Sequence, residues 1–218
     1  MRVIAGSARG RRLEAPRGRL VRPTADRVKE ALFSILGSRV DLAGAVLLDV
    51  FAGSGALGIE ALSRGAAAVT FVEQEPAARR ALSANLERCG MAGRGRIIGQ
   101  SAQAALARLA GEAATFDGVL MDPPYGRELA DRSLALLAAG PLLRPGSWVA
   151  AEHHADDRLA ERYGDLKENM RWLVRGVFGL LIGVVAWLGV QLWNGAQARI
   201  AELERASIQS SGATDVRP

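Results

Sequence analysis

Four consecutive residues, Asp122-Pro123-Pro124-Tyr125, carry the most specific chemistry in this chain. They follow a short apolar run, Gly118-Val119-Leu120-Met121, that reads as a buried strand. Two prolines in a row cannot continue a sheet ladder, so the strand must stop and present Asp122 and Tyr125 at its carboxyl end. In open α/β sheets that edge is where ligands bind. An acid, a rigid turn with its carbonyl and an aromatic ring form a device for holding a planar amine. The chemistry this predicts is methyl transfer to a nucleobase nitrogen.

An exocyclic amine is a poor nucleophile because its lone pair is delocalised into the ring. Asp122 and the Pro123 carbonyl can accept its two N–H bonds, which favours a pyramidal nitrogen whose lone pair faces the methyl donor. Alignment would supply most of the rate, since effective molarities reach roughly 10⁵–10⁸ M. Asp122 can also take the proton afterwards. Tyr125 is expected to stack on the target base, a contact worth about 1–3 kcal/mol. The base must leave its helix, or come from a loop, to get there.

A second motif, Asp49-Val50-Phe51-Ala52-Gly53-Ser54-Gly55-Ala56-Leu57-Gly58, joins an apolar strand to a helix. Its glycines let the backbone approach a ligand, and the helix start beyond offers N–H groups to an anionic group. Glu73 ends the next strand, where an acid can accept both hydroxyls of a ribose. Gly53, Gly55 and Gly58 also fit the dinucleotide pattern G-x-G-x-x-G, so this loop alone does not separate NAD from S-adenosylmethionine. The amine-gripping turn separates them, because hydride transfer has no use for one.

These motifs need a parallel sheet, and the pattern supplies it. Strands are predicted over 46–50, 69–73, 96–98, 116–121 and 147–152. Helices are predicted over 56–64, 76–89, 102–109 and 129–137. Such alternation implies an α/β fold with helices on both faces of the sheet. Ahead of it, Thr24 is a plausible cap for a helix with Val28, Ala31, Leu32, Ile35 and Leu36 on its apolar face, ended by Gly37.

Residues 1–39 hold ten Arg or Lys against Glu14, Asp26 and Glu30, while the rest of the chain sums to −2. A basic hairpin or extended arm on a near-neutral domain suggests a polyanionic partner, most simply nucleic acid. The single cysteine, Cys89, excludes an internal disulfide and fits a reducing compartment. The two histidines, His153 and His154, stand apart from any Cys, so metal-ligand spacing is absent.

After Glu152 the character changes. Residues 176–198 carry no charge, and a helix needs about 20 apolar residues to cross a bilayer. Trp172 and Trp193 sit near the two ends, and Lys167, Arg171 and Arg175 precede the run. The expectation is a single transmembrane helix over 172–198 that anchors a cytoplasmic catalytic domain to the inner membrane. The domains expected are an arm and helix (1–39), a methyltransferase domain (40–155), a linker (156–171), the span (172–198) and a short helix with a disordered tail (199–218).

Several segments together resemble one family. Arg2-Val3-Ile4-Ala5-Gly6, Arg9-Gly10-Arg11-Arg12-Leu13, Arg22-Pro23-Thr24 and Arg27-Val28-Lys29-Glu30-Ala31-Leu32-Phe33 are similar to the start of RsmD proteins. The loop after Asp49, Phe71-Val72-Glu73 and Asp122-Pro123-Pro124-Tyr125 extend the resemblance over residues 1–155. It implies a Rossmann-like fold dependent on S-adenosylmethionine (SAM), and methylation of guanine N2 in 16S ribosomal RNA of the small subunit. It implies cofactor contacts from Asp49, Phe51, Gly53, Ser54, Gly55, Glu73 and Ser101. Catalytic work would fall to Asp122, Pro123 and Tyr125, and RNA contacts to Arg9, Arg11, Arg12, Arg22 and Arg27.

The chain departs from the family pattern at two places. Ser101 stands where the family has an acid for the adenine amine, and Gln100 is the neighbour able to substitute. Residues 166–218 depart wholly and weakly resemble the single-span tails of phage haemolysin XhlA-like proteins. The last antiparallel strands are therefore expected to be missing, which would leave the fifth strand as an open edge. A natural tether, a join of two reading frames and a tail folded over that edge all remain open. Two other functions stay in view: DNA adenine-N6 methylation, which uses the same four-residue motif, and a non-catalytic membrane-anchored fusion with a degraded methyltransferase domain.

Overall fold

The computed structural model describes residues 1–15, 26–124 and 129–152, together with the backbone of Arg171–Arg175. Helix α1 covers Asp26–Gly37. Strand and helix then alternate: β1 (Val46–Val50), α2 (Ala56–Ser63), β2 (Ala68–Val72), α3 (Pro76–Arg88), β3 (Gly95–Ile98), α4 (Ala102–Gly111), β4 (Phe116–Met121), α5 (Leu129–Ala139) and β5 (Leu143–Glu152). A further strand, β6, covers Arg171–Arg175.

The sheet order is β3-β2-β1-β4-β5-β6, and β1 to β5 pair in parallel. The winding therefore reverses between β1 and β4, where Val50 lies beside Met121. Alternate strand residues feed two cores. On one face Leu47, Phe71 and Leu120 pack with Phe33 of α1, Ile59 of α2 and Leu82 of α3. On the other, Leu48, Val72 and Val119 pack with Leu106 of α4 and Leu134 of α5.

The basic arm is a folded part of the first core. Arg2 and Arg12 form an antiparallel bridge, and the Val3 N–H donates to the Arg11 carbonyl at 2.9 Å. Val3, Ala8 and Leu13 are buried. Gly6 lies so close to α2 that a Cβ would stand 1.8 Å from the Ser63 carbonyl oxygen, and its φ is +81°. Only glycine fits that approach.

A buried carboxylate fastens the arm. Glu60, fully buried on α2, accepts from the Ile4 N–H at 2.7 Å and the Ala5 N–H at 3.0 Å. It also pairs with Arg64 at 2.8 Å and with Lys29 of α1 at 3.4 Å. Lys29 is itself fully buried and donates to the Arg2 carbonyl at 2.6 Å. Burial pulls the Lys29 pKa below its ordinary value, and the Glu60 charge opposes that pull. The buried face of α1 is consequently Lys29, Phe33 and Leu36. This corrects the expected stripe, because Val28, Ala31, Leu32 and Ile35 are only half-buried.

Two further corrections concern the end of the sheet. β5 begins at Leu143, not at residue 147, because Leu143 pairs with Phe116 before an irregularity carries the register on to Trp148 opposite Gly118. β6 lies next to β5, so β5 is not the open edge that the sequence suggested. Residues 172–175, assigned above to a membrane span, belong to that strand. The remainder of the span, 176–198, lies outside the described residues, as do the linker up to residue 170 and the tail. Among the described residues no helix is long and apolar enough to cross a membrane.

Removing one member of a buried ion pair costs about 3–5 kcal/mol because the other charge stays behind. Glu60→Ala is therefore expected to destabilise the fold by about that much in urea unfolding. It should also speed hydrogen exchange at the Ile4 and Ala5 amides. Slow exchange at both in the variant would show that the arm is held by its apolar contacts alone.

Candidate functional site

The site is built at the carboxyl edge of the sheet, where the winding reverses. There the loop after β1 and the turn after β4 emerge side by side, the position at which open α/β sheets bind ligands.

The loop after β1 is held from several sides. The Ala52 N–H donates to the Val72 carbonyl at 3.0 Å, and the Gly55 N–H to the Ala52 carbonyl at 2.8 Å. Phe51 has a φ of +65°, a conformation that costs a non-glycine residue roughly 1–3 kcal/mol. The Gly53 N–H donates to Glu73 Oε2 at 2.8 Å, while Glu73 Oε1 accepts from the Glu75 N–H at 2.7 Å. Glu73 thus braces the loop against the end of β2. Each of its oxygens keeps a second lone pair for a hydroxyl donor.

Asp49 lies beneath this loop rather than on its surface. Its carboxyl is buried, and Oδ2 accepts from the Gly58 N–H at 2.9 Å. Burial raises its pKa to about 8; the Gly58 N–H draws it down, and the charges of Asp122 and Glu73 push it further up. Asp49, protonated at neutral pH, can therefore steady helix α2, and the negative charge near it is that of Glu73 and Asp122.

The turn after β4 begins with Asp122, whose N–H approaches the Val50 carbonyl at 3.4 Å. Pro123 is buried and Pro124 exposed. Tyr125 lies outside the described residues, as does Arg22. Ser101 caps α4, its Oγ accepting from the Ala104 N–H at 3.3 Å. Arg9, Arg11, Arg12 and Arg27 are exposed. The Arg11 guanidinium reaches the Arg88 carbonyl, and Arg88 in turn pairs with Glu14.

One residue that sequence reasoning missed ties these parts together. Asn85 of α3 is fully buried. Its Nδ2 donates to the Ser54 carbonyl at 2.9 Å and to the Glu14 carbonyl at 3.0 Å, and its Oδ1 accepts from the Glu14 N–H at 2.8 Å. The end of the arm and the glycine loop thus share one amide. The available signal was a lone polar residue between Leu82 and Leu86 on the apolar side of a helix. Among the described residues no group of three or more His, Cys, Asp or Glu is placed to hold a metal ion.

These residues suit a cationic nucleoside cofactor. The charges of Glu73 and Asp122 favour a cation at this edge, Glu73 can take ribose hydroxyls, and a Cβ on Gly53 would meet nothing within 4 Å. Fold and site together define a SAM-dependent methyltransferase.

Comparison with known proteins places the chain more closely. The family model described as "Conserved hypothetical protein 95" matches residues 1–172. YlbH of Bacillus subtilis is 39% identical over 166 residues, which is 76% of this chain and 89% of YlbH. The ribosomal RNA small subunit methyltransferase D of Haemophilus influenzae is 37% identical over 178 residues, 80% of this chain and 90% of that protein. A solved structure from Thermus thermophilus superposes with a TM-score of 0.66 at 32% identity, covering 73% of this chain and 89% of that one. The chain belongs to this family, that of the RsmD methyltransferases.

A carboxyl whose pKa in the fold, about 8, lies above its ordinary 3.8 stabilises most below about pH 4. That stabilisation is lost as pH rises through about 8. Asp49→Asn keeps an acceptor for Gly58 and cannot ionise. The variant should therefore lose less stability than the parent between pH 5 and pH 9. Urea midpoints across that range check this, and parallel curves would show that Asp49 is ionised throughout.

Proposed function

We propose that this chain transfers a methyl group from SAM to the exocyclic N2 of a guanine in the 16S RNA of the small ribosomal subunit. The observation that carries the reading is the parallel pairing of β1 with β4. It sets the glycine loop and the Asp122-Pro123-Pro124 turn next to each other at the switch point. The substrate class is supported by the relatives named ribosomal RNA small subunit methyltransferase D.

The cofactor, when bound, supplies an electrophilic methyl group on a sulfonium. The chain's own residues do the rest. Glu73 and the Gly53 N–H form the brace against which the nucleoside is held. Asp122 and the Pro123 carbonyl accept the two N–H bonds of the amine and turn its lone pair toward the methyl. Asp122 then takes the proton that the product must shed. Tyr125 offers a ring for the flipped base. Arg9, Arg12 and Arg27, exposed on the arm and on α1, are available to backbone phosphates.

Labelled methyl transfer to small subunits that lack the modification tests this. Asp122→Ala should cut the rate by about 10²-fold or more while SAM binding by calorimetry stays within a fewfold. Equal loss of binding and transfer would remove the role given to Asp122. Transfer to duplex DNA adenine in place of the subunit would establish the rival substrate.

The arginines have a separate test. Replacing Arg9 and Arg12 together by Ala should weaken binding to the small subunit. It should also lower the slope of log affinity against log salt by about 1–2. An unchanged slope would mean that these side chains touch no phosphate.

A further inference from the structure

The glycine loop is fixed at two successive residues by two different parts of the chain. Glu73 takes the Gly53 N–H at 2.8 Å, and Asn85 donates to the Ser54 carbonyl at 2.9 Å. The loop lies directly on α3 at this point, since a Cβ on Gly55 would stand 2.3 Å from Leu82 Cδ1. Leu82 and Asn85, three residues apart, share one face of that helix. The first support comes from the neighbouring strand. The second comes from an amide whose direction has to be set by something else.

The arm sets it. A carboxamide is planar, with an acceptor at one end and two N–H groups at a fixed angle at the other. Glu14 engages both ends: its N–H donates to Asn85 Oδ1 at 2.8 Å, and its carbonyl accepts from Nδ2 at 3.0 Å. Turned over, the amide would set its NH₂ against the Glu14 N–H and its oxygen against the Glu14 and Ser54 carbonyls. The hydrogen-bond partners therefore allow one orientation. With two of its groups held by Glu14, the remaining N–H is aimed at Ser54. Asn85 is fully buried, so an amide that loses its seat on Glu14 has no solvent to turn to.

We infer that the backbone of Glu14, acting through Asn85, sets the position of the cofactor loop. The basic arm is then part of the cofactor site as well as of the surface proposed for RNA. This rests on the cofactor reading given above. Asn85 is a positioning residue: it acts through the Ser54 carbonyl and takes no part in the transfer itself.

Calorimetry on the full chain tests it, with S-adenosylhomocysteine as the probe. Asn85→Leu, close in volume, should weaken binding by about tenfold, the equivalent of one lost hydrogen bond. Glu14 is exposed on the arm, and Glu14→Pro removes the N–H that aims the amide. That variant should weaken binding by about threefold or more. Arg88→Ala breaks only the exposed Arg88 contacts with the arm and leaves the amide alone, so it should bind as the parent does. Added to Asn85→Leu, Glu14→Pro should cost nothing further, because its route to the loop is already cut. Losses that multiply in full in the double variant overturn the inference. So does equal affinity of Glu14→Pro and Arg88→Ala, a comparison that decides even where Asn85→Leu does not fold. A parent chain that does not bind the probe removes the cofactor reading as well, and so tells the two failures apart.

Discussion

Helix α2 is buried along its whole length, and the rest of the molecule is arranged around that fact. Its sequence, Ala-Leu-Gly-Ile-Glu-Ala-Leu-Ser, is buried on every side, so one layer of sheet cannot cover it. The sheet takes one face through Asp49 and Phe71; the arm and α1 must take the other. Glu60 makes that cover specific by gathering two arm amides, Lys29 and Arg64 in one buried cluster. Ser63 adds its carbonyl to the Ser7 N–H at 2.8 Å and its hydroxyl to the Ala8 N–H at 2.9 Å. The basic arm is thus part of the core's roof, with its arginine side chains left outside.

The same helix begins at the cofactor loop. Asp49 holds the first turn of α2 through Gly58, and two residues later Glu60 holds the arm. Asn85 closes the circuit on the other side, bonding both Ser54 and Glu14. The groups assigned to the cofactor and those assigned to RNA are therefore joined through one hydrogen-bonded network. Preorganisation of this kind suits a reaction in which alignment does most of the work. A misplaced glycine loop would shift the methyl relative to Asp122, even though no reacting group had changed.

The first four strands, most helices and the two motifs were legible in the sequence because their signals are local. Val46–Val50 and Phe116–Met121 are short apolar runs ending in groups that stop a strand, and the structure gives the same bounds. What was not legible depends on partners distant in sequence. Lys29 reads as an exposed charge until Glu60, 31 residues on, is brought against it. Asn85 stands out only as a polar residue on the apolar side of α3, and nothing local says that Ser54 and Glu14 are its partners. The start of β5 was hidden because Arg144-Pro145-Gly146 carries turn chemistry, yet the sheet accommodates it as an irregularity. β6 was hidden because Arg171-Trp172-Leu173-Val174-Arg175 runs straight into a longer uncharged segment, and hydropathy alone merges the two.

Charge is divided between the two ends of this arrangement, and the division constrains how RNA can approach. Near the switch point, burial and the charges of Asp122 and Glu73 keep the Asp49 carboxyl protonated near neutral pH, so the negative charge there is that of Glu73 and Asp122. A phosphate backbone is unwelcome there. The exposed arginines sit on the arm and on α1, across the roof of α2. On the proposed reading, an RNA strand is drawn to the arm and turned away from the crevice by the same field. A neutral base swung out from that strand meets no such barrier. The electrostatics therefore favour delivery of a single flipped base, and the short reach of the Asp122 turn then decides which amine is presented to the methyl.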